Sequence, residues 1–173
     1  MHIFKITKKT TASCIQFNMN KTLIEKFQIR GNTYLWKYKD NERNFPGWNL
    51  TVDKEASERL VKLLDMMYQC EWATNKLVKV TPPKGKLISI PNNWGGTAAW
   101  ESVASLKIIS TKTVQLNHWR ITEKLPIVEI EFGPSSLAKL KQAIAGIPHG
   151  IGDFSIGDVS DENLLTFWWN LEK

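Results

Sequence analysis

One stretch restricts the fold more than any other. From Leu50 the chain alternates through Val52 and then reads Asp53, Ala56, Leu60, Leu63, Leu64 and Met67. The alternation closes a short strand. The spacing that follows, i, i+4, i+7, i+8 and i+11 from Ala56, lays one apolar stripe along a helix running to about Gln69. Asp53 is suited to cap that helix, and Glu55 complements the positive end of its dipole. Lys54, Glu58, Arg59, Lys62 and Asp65 fall on the polar side. A one-sided helix directly behind a strand needs a sheet to cover, which points to layered α+β architecture.

The same pattern returns 80 residues later. Leu50, Val52, Leu60, Leu64 and Met67 align with Ile130, Phe132, Leu140, Ile144 and Ile147. Ile127–Phe132 alternates as a strand, and Pro134 suits a first helical turn. Leu137, Leu140, Ile144 and Ile147 then form an apolar face, with Gly146 near its stop. Two explanations stand. One is an internal duplication, with modules of about 1–90 and 91–173. The other is the alignment that any two strand–turn–helix units show when anchored at the turn. The expected fold is a single α+β domain over 1–173, with mainly antiparallel sheet(s) and two principal amphipathic helices.

Weaker signals place the other elements. Residues 3–8 and 12–18 read as strands. Residues 22–29 are ambiguous, and Arg30-Gly31-Asn32 ahead of the strand-like Thr33–Tyr38 favours a hairpin. Residues 40–47 form a polar loop. Strands are expected at 76–81 and 86–90 around Pro82-Pro83-Lys84-Gly85, at 102–110 and 113–122, and at 153–157 and 163–170.

A chain of 173 residues buries roughly 70% of its unfolded surface, enough for a core without staples. Eight tryptophans load that core heavily. The two cysteines, Cys14 and Cys70, form no CxxC pair and read as reduced, buried thiols. The opening residues lack the apolar run of a signal peptide, and no window reaches the length of a membrane span. A cytoplasmic protein with no membrane contact is the expectation. The net charge of +6 is uneven: residues 1–87 carry +8 and residues 88–173 carry −2. A basic half suits an acidic partner, whether nucleic acid, anionic surface or protein, and equally suits a solvated surface.

No phosphate loop, dinucleotide fingerprint, HExxH, EF-hand loop or GxSxG elbow occurs, and no cofactor is expected. His118 can act as a general base beside a carboxylate such as Glu129 or Glu131, or be an ordinary strand histidine. His149 lies near Asp153, and Pro148-His149-Gly150 is equally plain loop chemistry. Cys14 follows Lys8 and Lys9, which would lower its pKa if they lay close. In Tyr34-Leu35-Trp36-Lys37-Tyr38-Lys39, aromatics alternate with basic residues as in a base-stacking strand. Strand geometry sends Tyr34, Trp36 and Tyr38 to one face and the lysines to the other, which is also ordinary sheet construction. Two alternatives to a binding role therefore stand: a nucleic-acid binder using the basic N-terminal half, or an enzyme with a His–carboxylate site.

Candidate partner-binding residues are aromatic and acidic. Trp94 and Trp100 bracket a glycine-bearing loop, where tryptophan either anchors an interface or closes the core. At the C-terminal end, Gly152-Asp153-Phe154-Ser155-Ile156 precedes an acidic turn with Asp158, Asp161 and Glu162, then Leu164-Leu165-Thr166-Phe167-Trp168-Trp169. Phe167 and Trp169 face one way and Trp168 the other, so an exposed Trp168 would be a contact residue. This run resembles the ending of small bacterial proteins of the toxin-immunity type. The resemblance implies a cytosolic, non-catalytic protein that neutralises a toxin by direct contact. Trp94, Trp100, Trp168, Asp153 and Asp158 are its candidate contact residues.

Overall fold

The structure is a computed structural model, and it describes residues 21–39, 46–92, 95–112, 115–151, 154–158 and 163–169. The expected strands at 3–8 and 12–18, Cys14, Trp94, Asp153 and most of the 40–47 loop lie outside those residues.

The fold is α+β, with two mixed, mainly antiparallel sheets. Helical residues 21–26 (α1) lead to β1 (Thr33–Tyr38), β2 (Trp48–Val52), α2 (Lys54–Gln69) and β3 (Thr74–Lys79). A single helical turn, α3 (Gly85–Ile88), is followed by β4 (Trp100–Ser102), β5 (Ser105–Ser110), β6 (Trp119–Lys124) and β7 (Ile127–Phe132). The chain closes with α4 (Pro134–Gly146), a 3-10 turn, β8 (Phe154–Ile156) and β9 (Leu165–Phe167). The first sheet has the order β4-β1-β2-β9-β8 and the second β3-β5-β7-β6.

These orders share one plan. A hairpin, β1–β2 or β6–β7, runs into a helix, α2 or α4. The strand after each helix, β3 or β8, joins the sheet of the other hairpin. There it pairs antiparallel with β5 or β9, which in turn lies parallel to β7 or β2. The 80-residue offset holds through this plan: α2 opens at Lys54 and α4 at Pro134.

The inner faces of both sheets and the apolar faces of the two long helices build one core. Leu35, Leu50, Val52, Leu165 and Phe167 from the first sheet meet Leu106, Ile108, Val128, Ile130 and Phe132 from the second in one core. Ala56, Leu60, Leu63, Leu64 and Met67 of α2 belong to it, as do Leu137, Leu140, Ile144 and Ile147. The Ser57 hydroxyl donates to the Ile144 carbonyl at 2.9 Å, tying α2 to α4. Asp53 caps α2 as its position predicts: Oδ1 accepts from the Ala56 N–H at 2.8 Å. Its Oδ2 accepts from the Asn32 backbone and side-chain N–H groups at 2.6 and 2.9 Å.

That second tie corrects the expected hairpin at 30–32. Residues 21–26 are helical, and Gly31, at φ +81°, turns the chain into β1. A Cβ at Gly31 would collide with the Asp53 carboxylate and the Ala56 nitrogen, so the cap itself demands glycine. The expected strand at 86–90 is also corrected: Gly85–Ile88 is helical. Ile88 there is buried against β1, and its carbonyl accepts from the Tyr38 hydroxyl at 2.7 Å. The expected strand over 102–110 is two, because the chain leaves the first sheet after Ser102 and enters the second at Ser105. The strand expected at 113–122 begins at Trp119, since residues 116–117 form a turn.

Candidate functional site

Register makes the outer faces of the two sheets comparable position by position. On the first sheet, Tyr34 opposes Thr51 and Trp36 opposes Asn49. On the second, Arg120 opposes Glu131 and Thr122 opposes Glu129. With β2 and β7 aligned at the 80-residue offset, Arg120, Thr122 and Lys124 occupy the places of Tyr34, Trp36 and Tyr38. Likewise Lys107 takes the place of Thr166, each lying beside the central polar residue of its sheet.

The first outer face is sealed over β1 and β2, while Ser155 on the edge strand β8 stays exposed. Tyr34, Trp36 and Tyr38 are buried in a second apolar cluster with Ile88 and Ala98. Trp36 and Tyr38 meet edge to face at 6.5 Å, and Trp36 lies 5.8 Å from Trp168. The Trp168 indole donates to Asn49 Oδ1 at 2.7 Å, and Thr51 Oγ1 donates to the Trp168 carbonyl at 2.9 Å. Burial pushes the Tyr38 phenol above its usual pKa, with the Trp36 indole partly opposing the shift. The cover comes from the long connection between β3 and β5, which carries α3 and β4. Its counterpart between β8 and β9 is only residues 157–164.

The second outer face keeps solvent exposure along all of its strands. Its rows run Lys79–Ser105–Ile127–Lys124, Leu77–Lys107–Glu129–Thr122 and Asn75–Ile109–Glu131–Arg120. Glu129 sits at the centre with its side chain 8% exposed. Lys124 Nζ approaches one of its oxygens at 2.6 Å and Lys107 Nζ the other at 2.9 Å. Hydrogen bonds from Lys124 first, then Lys107, hold its carboxyl below the usual range against the opposing effect of burial. Glu131 is shared in the same way, between Arg120 Nη2 at 3.0 Å and His118 Nε2 at 3.3 Å. The acids thus lie low, while the side chains of Lys124 and Arg120 stand 60% and 57% exposed. Four cations and two carboxylates share the face, with Leu77, Ile109 and Ile127 between them. None of the residues in the three rows is aromatic.

An ion pair joins the β1–β2 and β6–β7 hairpins to each other. Lys37 and Glu123 hold matching register positions, and they pair with each other at 2.8 Å. The Trp48 indole donates to the same Glu123 oxygen at 3.0 Å.

The sequence candidates distribute unevenly over these surfaces. Trp100 and Trp168 are half-buried against the sealed cluster, so both help to close the first face. Asp158 is exposed on the β8–β9 connection. Of the two carboxylates named for His118, the fold brings Glu131 to it. Tyr34, Trp36 and Tyr38 lie under cover, so they do not offer the base-stacking face that their alternation suggested. Cys70 is a buried free thiol. Among the described residues, no helix is long and apolar enough to cross a membrane, and no three His, Cys, Asp or Glu side chains cluster for a metal. Sequence reasoning did not single out Lys107, Lys124 or Arg120. Their signal was the strict alternation of β7, which puts Glu129 and Glu131 on the face opposite Val128 and Ile130.

Comparison with protein-family models, with curated proteins and with solved structures returns no match.

Proposed function

We propose that this chain is a non-catalytic protein-binding module, acting in the cytoplasm as an immunity-type inhibitor that docks on a bacterial toxin and neutralises it. One observation carries the reading: of two sheets built to one plan, one has its outer face sealed over its central hairpin and the other presents ordered charges and aliphatic side chains to solvent. Ion pairs that already fix Lys107, Lys124 and Arg120 reduce the side-chain entropy lost when a partner arrives. Steering by charge would set the encounter rate, and the aliphatic residues between the charges would slow dissociation. The C-terminal likeness to toxin-immunity proteins gives the toxin its place in the proposal.

A face of four strands by about six residues spans roughly 20 × 20 Å, or about 400 Å². A standard interface needs about 800 Å² per partner, so the contact would extend past the sheet rim. Exposed Leu125 at the β6–β7 turn and exposed Trp72 just before β3 stand at opposite ends of the sheet.

The test is coexpression with each toxin-like open reading frame found flanking this gene. Growth rescue together with a 1:1 complex of submicromolar Kd supports the reading. Killing that proceeds unchanged, with no complex on size exclusion, contradicts it.

A further inference from the structure

The outer face of the second sheet also specifies the chemistry of what it meets. Resting on the protein-binding reading above, we infer that its occupant is an acidic protein surface that brings carboxylates to Lys79, Lys107, Lys124 and Arg120 and aliphatic groups to Leu77, Ile109 and Ile127.

Charge complementarity carries the inference. Glu129 and Glu131 lie beneath their cations, so the outward layer is positive even though acids sit at the centre of the sheet. Each cation keeps donor capacity. An ammonium has three N–H groups and a guanidinium five, and the hydrogen bonds seen here occupy one of them on each of Lys107, Lys124 and Arg120. A partner carboxylate can therefore bind without displacing Glu129 or Glu131. The arriving charge also replaces solvent at groups already held in place, which favours geometry-specific, charge-assisted hydrogen bonds.

The same face suits a nucleic acid less well. Single strands are held by a basic groove together with stacking on aromatic rings, and the three rows contain no aromatic ring. A continuous phosphate backbone offers no apolar group to Leu77, Ile109 and Ile127, which stand between the cations. A protein surface can set isolated acids opposite the cations and apolar groups opposite Leu77 and Ile109.

The probe is a synthetic twelve-residue peptide of alternating Glu and Val, titrated into the isotope-labelled full chain at low and moderate salt. A Lys–Val peptide and a twelve-base-pair DNA duplex serve as competitors. The expected result is amide shifts confined to β3, β5, β6 and β7, weakened by salt, with no binding of the Lys–Val peptide. Lys124→Gln with Arg120→Gln should weaken binding about fivefold, since each removes one solvent-exposed cation. Lys79→Gln, exposed at the β3 edge, repeats the test at an independent position. Shifts centred on the first sheet, no binding at low salt, or a duplex that binds more tightly than the Glu–Val peptide would overturn the inference. The two proposals fail separately. A toxin that binds the Lys124→Gln/Arg120→Gln chain as tightly as the native one ends this inference and leaves the protein-binding reading in place.

Discussion

The first and second sheets use one register for opposite ends. Where the first places Tyr34, Trp36 and Tyr38, the second places Arg120, Thr122 and Lys124. Where the first buries Asn49 as a hydrogen-bonding hub, the second sets Glu129 between two lysines. The difference follows from connection length. The β3–β5 connection is long enough to lay α3 against the outer side of β1 and to add β4 at the sheet edge, so aromatic side chains there gain burial. The β8–β9 connection is not, and side chains on the second outer face must be compatible with water. A repeated backbone plan thus yields one face that stabilises the fold and one available for contact.

The comparison breaks most visibly at matched positions. Trp36→Ala should cost about 3–5 kcal/mol in urea unfolding, as for other large-to-small changes in a packed core. Thr122→Ala, its register partner, should change stability by no more than about 0.5 kcal/mol. Equal losses would mean that the second face is also sealed. At the central polar position, Asn49→Ala should cost about 1–3 kcal/mol, because the Trp168 indole N–H loses its buried acceptor.

The two faces should also fail at opposite ends of the pH scale. Burial raises the Tyr38 pKa in the folded state above the ordinary phenol value of 10.0. Its contribution is therefore complete below pH 10 and is lost as pH climbs through the folded value. Tyr38→Phe should flatten that alkaline decline in thermal melts. The Glu129 pKa is lowered from 4.5, so its contribution is complete above that pH and is lost as pH falls through the folded value. Glu129→Gln should flatten the acid decline and leave the alkaline one unchanged. The exposed cations contribute little to folding: Lys124→Ala and Arg120→Ala should each cost no more than about 1 kcal/mol, measured by denaturant midpoint.

Local chemistry made part of this fold legible. Asp53, the stripe from Ala56 to Met67 and the alternation of Ile127–Phe132 identify α2 and β7 because each signal lies within one element. α1 was not legible, since Leu23, Ile24 and Phe27 fit either period and the turn at Gly31 resembles a hairpin. α3 was misread because the apolar run from Leu87 to Ile90 looks like a strand, whereas its four-residue turn is tied to Tyr38 across 50 residues of chain. The exchange of β3 and β8 between sheets, and the parallel β2–β9 and β5–β7 pairs, depend on long-range pairing that no local pattern records. Of the site, the nearness of His118 to a β7 carboxylate was readable from strand spacing. The grip of Lys107 on Glu129 required knowing that β5 lies beside β7.

Side-chain oxidation by hydroxyl radicals, read by mass spectrometry on the free protein, tests the contrast between the faces most directly. Leu77, 51% exposed, should be labelled rapidly and Ile109 and Ile127 measurably, while the intrinsically more reactive Trp36 and Tyr38 stay protected until the protein unfolds. Protection of Leu77, Ile109 and Ile127 equal to that of Trp36 would show both faces covered and contradict the account.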